Sequence, residues 1–396
     1  MRSFIQFLEE LPNMEKTRNF DPLRNYRLEP FLKCYNHYVN INFKHRPLRF
    51  SIVGTNGKGS LAHYLSQFLI QIGSVGLFTS PHLINPLERI QINNNSIDEV
   101  ELDKIITNLA NEDLDYLKQF SYFEVFTLFS AIAFSNRKLD FEIYEAGLGG
   151  RLDATKALNS EILLITKIDL DHTSILGATK ENILFEKLSI ASAHTKKIIA
   201  LDPIDNNLRK MINDFAINFK IPFEFYNETS KPNGSYLELS FNMAKFILEK
   251  ELKNNDQLQI VKSINWKDLP PPRARMEELN KNPIVVYDTA HNPGACLNLL
   301  NDLEKIYPFR NWNCIVSILP DKDGEAIREV FEKHPIVDQF AFAAFAPFQS
   351  PINKHLTQIF SWDDWETKIY KNKENGIPTL VCGSFRVYPK LTKLFL

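Results

Sequence analysis

The sequence predicts an α/β fold in two parts: a larger domain on a mostly parallel sheet, then a smaller Rossmann-like α/β domain at the C-terminal end. Three observations carry this expectation. Short apolar strands alternate with helical patterns from residue 49 onward, the alternation that builds parallel sheets. Polar and glycine-rich stretches fall directly after those strands, where open α/β sheets bind ligands. The chain has 396 residues, enough for two ordinary cores or one very large one.

Taken in order, residues 1–48 are polar and aromatic with helical stretches, closed by Pro47. Residues 49–53 read as a short buried strand. It runs into Gly54-Thr55-Asn56-Gly57-Lys58-Gly59-Ser60 and an apolar helical pattern to about Ile72, giving strand, glycine loop, helix. Residues 75–78 form the next strand, ending at Thr79-Ser80-Pro81-His82. A buried helix is expected over 121–135. Residues 141–145 and 162–168 are further strands. The first ends in a loop with Gly147, Gly149 and Gly150, the second at Asp169-Leu170-Asp171-His172. Residues 264–283 hold Pro270-Pro271-Pro272 and Pro283 and read as a linker. Beyond it, 284–287, 314–318, 339–344 and 379–382 look like the strands of a new sheet. The domains are placed at 1–275 and 276–396.

Composition narrows the classes. Hydrophobic residues make up 44% and charged residues 24%, the balance of a soluble globular protein. The net charge of −2, from 46 basic and 48 acidic side chains, argues against a general nucleic-acid or anionic-membrane binder. Four scattered cysteines without a CxxC pair argue against a structural zinc site and a disulfide framework, and a reducing, cytoplasmic setting is expected. Acids appear too early in the first residues for a signal peptide. No apolar run approaches the roughly 20 residues of a membrane span.

The chemistry lies at the strand ends. In Gly54–Ser60 the glycines let backbone N–H groups turn toward phosphate oxygens, and the following helix N-terminus adds partial positive charge. Lys58 can reach terminal phosphates and the Ser60 hydroxyl can support phosphate or Mg²⁺. The order GxxGKGS differs from the general GxxxxGK[ST] pattern, so the first domain is P-loop-type rather than a standard P-loop. Ser80, Glu145 and His172 follow three strands, and hard oxygen ligands suit Mg²⁺. A lone histidine is more often structural, and a lone acid is often a cap. Three polar groups at three equivalent strand ends weaken those bland readings. In the 147–155 loop, Arg151 and Asp153 supply charge. In the second domain Asp288 can accept hydrogen bonds from a ribose and His291 can orient a phosphate or substrate, against a helix-capping alternative.

These stretches resemble the folylpolyglutamate synthase and dihydrofolate synthase family, the folate branch of the Mur ligases. GTNGKGS at 54–60 is shared across the superfamily. GLFTSPHL at 76–83, ERIQIN at 88–93, EAGLGGRLDAT at 145–155, LDHTSILGAT at 170–179, FEKLSI at 185–190 and DTAHNP at 288–293 are similar to the folate branch in the same order. The resemblance implies an ATPase-type first domain, a glutamate-ligase second domain, and an ATP-dependent ligase adding L-glutamate to dihydropteroate or a reduced folate through an acyl phosphate. A Mur-type ligase acting on a peptidoglycan precursor is the alternative.

It further implies site residues. Asn56, Gly57, Lys58, Gly59 and Ser60 would cradle the triphosphate of ATP, with Asn242, Arg275 and Asp288 on the adenine and ribose side. Ser80 and Glu145 would hold one Mg²⁺, His172 would be a ligand of a second, and Lys187 would carry a carbamate that turns a cation into a metal-binding anion. Without the resemblance, Lys187 reads as a surface lysine. Lys58, Glu145, His172 and Lys187 would thus carry catalysis. Ser121, Tyr122, Phe123, Glu124, Leu152, Asp153 and Ala154 would contact the pterin, and His291 the substrate. The family is commonly monomeric. Some positions depart from the family pattern: Lys156 replaces an asparagine, Leu188-Ser189 replaces Ala-Gly, and Arg273-Ala274-Arg275 replaces a PGR-type linker.

Overall fold

A computed structural model of the chain describes residues 3–17, 26–39, 46–203, 205–227, 234–308, 311–319, 322–343, 359–360 and 362–395. The chain divides into two compact units, Met1–Pro232 with Leu239–Leu269, and Asn233–Glu238 with Pro270–Leu396. The expected boundary after residue 275 falls inside the second unit.

The first unit is built on an eight-stranded sheet. Its strands are β1 (Leu48–Val53), β2 (Val75–Phe78), β3 (Ile90–Ile92), β4 (Asn95–Ser96), β5 (Phe141–Glu145), β6 (Ile162–Ile165), β7 (Lys197–Leu201) and β8 (Phe223–Tyr226). They lie in the order β4-β3-β2-β5-β1-β6-β7-β8. Every pairing from β2 to β8 is parallel, and β3 and β4 add an antiparallel hairpin at one edge. Strands β2, β5 and β6 are buried along their whole length, which is why they read as apolar runs without alternation. One apolar cluster joins Phe4, Phe31, Phe78, Phe129 and Tyr144, and another joins Val53, Leu163, Ile183, Ile198 and Ile212.

Two details differ from the sequence expectation. The third strand end comes at Ile165, not residue 168, because the chain turns there to serve the glycine loop: the N–H groups of Thr55 and Asn56 donate to the Lys167 carbonyl at 2.8 and 3.3 Å. The β3–β4 hairpin was not foreseen, since Gln91-Ile92-Asn93-Asn94-Asn95 is mostly polar. Asn93 and Asn94 take φ of 50° and 62°, the left-handed pair that a tight two-residue hairpin turn requires.

The second unit carries a six-stranded sheet of β9 (Glu277–Lys281), β10 (Ile284–Asp288), β11 (Trp312–Ser317), β12 (Val337–Ala343), β13 (Ile359–Phe360) and β14 (Thr379–Gly383), in the order β13-β12-β11-β14-β10-β9. Only β9 is antiparallel to its neighbour. The expected linker at 264–283 is thus partly structure: it contains β9, whose Glu277-Glu278-Leu279-Asn280-Lys281 sequence hides an edge strand. Val286, Leu299, Trp312, Phe331 and Leu380 form the core.

Candidate active site

The glycine loop leaves β1 and enters helix Lys58–Leu69, with Gly57 at its N-cap in the left-handed region at φ 88°. A side chain there would be strained, so glycine fixes the turn that aims the helix N-terminus. The loop is buttressed from β6: Thr166 Oγ1 donates to the Asn56 carbonyl at 2.8 Å, and Thr55 Oγ1 to that of Asp169 at 3.0 Å. Lys58 Nζ folds back to the Gly54 carbonyl at 3.2 Å. The Ser60 hydroxyl is fully buried and makes no hydrogen bond. A buried orphan hydroxyl costs stability unless a ligand satisfies it.

Glu145, at the end of β5, is buried, and one carboxylate oxygen accepts the Ser80 N–H at 3.2 Å. The two predicted metal residues are therefore adjacent. Two residues on, His82 Nδ1 accepts from Arg89 Nε at 3.0 Å. Burial and the Arg89 charge push the His82 ring down to about 4, so it is neutral at physiological pH. His172 is held with φ of 49° as its N–H donates to Asp171 at 2.9 Å. Among the described residues no group of three or more His, Cys, Asp or Glu side chains is gathered as a metal cage. The donors present, a hydroxyl, a carboxylate and an imidazole, suit a hard cation that keeps waters and phosphate oxygens in its shell.

Lys187 corrects the surface reading. It lies on helix Lys180–Leu188 and is only 5% exposed. Burial first, then the charge of Lys58, lowers its ammonium from the ordinary 10.5 to about 7, against smaller opposing effects of Asp171 and Asp153. The glycine loop after β5 lies tight against this helix. A Cβ on Gly150 would come within 2.8 Å of the carbonyl oxygens of Glu186 and Lys187. The Arg151 N–H donates to the Glu186 carbonyl at 2.9 Å.

Asp153 is corrected as well. It was expected to offer charge to a ligand, but its carboxylate is buried and turned inward. One oxygen accepts the Gly147 and Leu148 N–H groups, both at 2.9 Å; the other accepts the Thr155 N–H at 2.9 Å and its hydroxyl at 2.5 Å. Asp153 shapes the loop. Leu152 is half-buried, and Ala154 opens the short helix Ala154–Leu158.

The 121–124 stretch is a helix start. Ser121 and Glu124 form a capping box for helix Tyr122–Arg137, which satisfies two orphan N–H groups reciprocally. Glu124 also accepts from the Tyr26 hydroxyl at 2.5 Å. The Tyr122 ring is covered by the Arg89 guanidinium, 5.1 Å from its centroid. Phe123 packs where a Cβ on Gly147 would stand, 2.8 Å from its ring. Of these four, only Phe123 is left half-buried without a polar bond of its own to the cap.

In the first unit Asn242 sits half-buried on helix Tyr236–Glu251. In the second unit, Asp288 ends β10 buried, accepting from the Tyr236 hydroxyl at 2.6 Å, the Met276 N–H at 2.9 Å and the Ala290 N–H at 2.7 Å. Arg275 donates to the Ala274 carbonyl at 3.2 Å, and its charge is felt at Tyr236. His291 Nδ1 lies 2.8 Å from the Thr289 carbonyl, so Nδ1 carries the proton and the ring is oriented.

No family model matches the chain. A curated dihydrofolate synthase/folylpolyglutamate synthase of Buchnera aphidicola subsp. Baizongia pistaciae is 33% identical over 379 residues, covering 86% of this chain and 85% of that protein. The chain belongs to the dihydrofolate synthase/folylpolyglutamate synthase family. The fold agrees: the Yersinia pestis bifunctional folylpolyglutamate synthase/dihydrofolate synthase complexed with AMPPNP and Mn is similar at a TM-score of 0.77 and 25% identity, over 99% of this chain and 97% of that one. Another bifunctional folylpolyglutamate synthase/dihydrofolate synthase, with Mn, AMPPNP and L-glutamate bound, gives a TM-score of 0.76 at 26% identity, over 93% of this chain and 94% of that one. The peptidoglycan-precursor alternative is not favoured by these relatives.

Within this synthase family member the predicted residues separate by what the fold makes of them. Ser80 and Glu145 come together and the charge of Lys58 is felt at Lys187, while Ser121, Glu124 and Asp153 spend their polar atoms on local structure. Sequence reasoning assigned no role to His82, Arg89 or Asp171. The ERIQIN stretch was the available signal, because an arginine beside an apolar strand must be paired when it is buried.

Proposed function

We propose that this chain is an ATP-dependent acid–amino-acid ligase, a cytoplasmic monomer that joins L-glutamate to dihydropteroate, to reduced folates, or to both. The observation that carries this reading is the burial of Lys187, which feels the charge of Lys58, together with a glycine loop whose Ser60 hydroxyl is buried and unsatisfied. Two amines and an orphan donor favour an anion, and a triphosphate on the glycine loop supplies one.

The substrate carboxylate attacks the terminal phosphorus of ATP, giving an acyl phosphate and ADP. The glutamate amine then attacks the acyl carbon, and inorganic phosphate leaves from the tetrahedral intermediate. Asn56, Gly57, Gly59 and Ser60 hold the triphosphate, and Lys58 swings from the Gly54 carbonyl to neutralise charge developing in transfer. Mg²⁺ would neutralise phosphate charge, held by Ser80 and Glu145, with His172 and a carbamate on Lys187 serving a second ion. A lysine near 7 suits that modification: it is partly the free amine that adds CO₂, whereas an ordinary lysine is almost wholly protonated. Phe123, Leu152 and Ala154 wall the acceptor. The resemblance assigns Asn242 of the first unit, and Arg275 and Asp288 of the second, to the nucleoside, and His291 to the substrate.

The test is glutamate-dependent ADP release with Mg²⁺ and bicarbonate, run with dihydropteroate and with tetrahydrofolate. Turnover with the first establishes the synthase step, with the second chain extension, with both a bifunctional enzyme. Folded protein silent with both overturns the reading. Light scattering checks the monomer.

A further inference from the structure

We propose that Arg89 is a positioning residue that aligns the Ser80–Glu145 pair for the metal and ties it to the helix bearing Phe123. The inference rests on the metal-side reading of Ser80 and Glu145 given above.

Arg89 is 1% exposed, although it is a permanent cation. Such burial is tolerated only with full pairing. Its terminal nitrogens donate to the two Glu15 oxygens at 2.9 and 2.5 Å. The guanidinium lies 5.1 Å from the Tyr122 ring centroid and 5.3 Å from that of Phe126. The remaining nitrogen, Nε, donates to His82 Nδ1 at 3.0 Å, and the Arg89 carbonyl accepts the Thr79 N–H at 3.0 Å. One residue thus grips the Thr79–His82 turn at both ends. Between those grips, Ser80 N–H reaches Glu145 at 3.2 Å. The Arg89 side chain and main chain thus hold both ends of the turn, and its placement follows the guanidinium. Tyr122 is accordingly a base for Arg89 rather than a ligand contact, and its neighbour Phe123 is the residue that this arrangement aims.

The experiment measures Mn²⁺ binding by electron paramagnetic resonance with AMPPNP present, alongside Mg²⁺ activation of the ligase reaction. The variants are His82→Ala, His82→Asn, Arg89→Lys and Glu15→Gln, each studied below its own melting temperature. His82→Ala should weaken Mn²⁺ binding about 10-fold, the low end of the cost of losing an outer partner of a metal ligand. His82→Asn places an oxygen near the Nδ1 position and should restore most of it. Arg89→Lys keeps the charge but not the fork, and should resemble His82→Ala. Lower stability with unchanged Mn²⁺ affinity in folded His82→Ala and Glu15→Gln would make the cluster merely structural and overturn the proposal, even if Arg89→Lys does not fold. Wild type that binds Mn²⁺ with AMPPNP but makes no amide would overturn the ligase reading and leave this one standing. Wild type that binds no Mn²⁺ would overturn this one.

Discussion

At the scale of single residues, Lys187 and Asp153 show how burial changes a side chain's work. Lys187→Ala should abolish glutamate ligation and regain part of it with added short carboxylates, which replace the carbamate's oxygens; no rescue together with unchanged Mg²⁺ dependence would remove that role. Its pH dependence follows from linkage. Between about 7, the folded value, and the ordinary 10.5, the unfolded chain holds a proton that the folded chain lacks. Stability therefore rises with pH across that window, and below about pH 7 the cost of a buried ammonium is fully present. In CO₂-free, metal-free buffer, the advantage of Lys187→Met over wild type in melting temperature should shrink from pH 7 to pH 9. A constant difference would refute this. Asp153→Asn replaces one acceptor oxygen by a donor that faces N–H groups, and should cost about 2–3 kcal/mol, read as a lower denaturation midpoint and a higher KM for the acceptor. The family resemblance pointed to Lys187, but neither its burial nor the inward turn of Asp153 was legible in the residue pattern. A lysine in Phe-Glu-Lys-Leu has a helical surface pattern, and its burial follows from tertiary packing, with the 147–150 loop lying against the backbone of its helix.

At the scale of elements, the strand–loop–helix units were legible because apolar runs and glycine punctuation are local signals. The β3–β4 hairpin and β9 were not, since edge strands keep polar side chains and need only backbone partners. One of the contacts between elements that shape the site is that of the loop after β5 with helix Lys180–Leu188. Gly150 makes it work by close approach rather than by unusual φ. Gly150→Ala puts a methyl group within 2.8 Å of two helix carbonyls, so backbone must move. The expected cost is about 1–3 kcal/mol. The loop shift should also return Lys187 toward an ordinary amine by admitting water. Ligase activity should fall more than stability alone predicts when measured well below the melting transition. Full activity in a folded Gly150→Ala protein would show that the loop has room to spare.

At the scale of the whole chain, the division into units follows packing rather than sequence order. Proline-rich sequence at 264–283 pointed to the neighbourhood of one boundary, at Leu269/Pro270. It could not reveal that Asn233–Glu238 groups with the second unit, because that membership comes from long-range contacts, polar bonds of Tyr236 among them. Tyr236 donates its hydroxyl to Asp288 at 2.6 Å and its N–H to Asp302 at 2.7 Å. Both carboxylates are buried, 3% and 4% exposed, so each needs its donors. Tyr236→Phe removes one donor from Asp288 while keeping the ring, and leaves the carboxylate with the Met276 and Ala290 N–H groups. The loss should be about 1–3 kcal/mol. It should appear as lower stability of the 270–396 region in hydrogen exchange, although the substitution lies more than thirty residues before that region begins. Protection lost only around residues 239–269 would instead place Tyr236 in the cooperative unit of the first sheet.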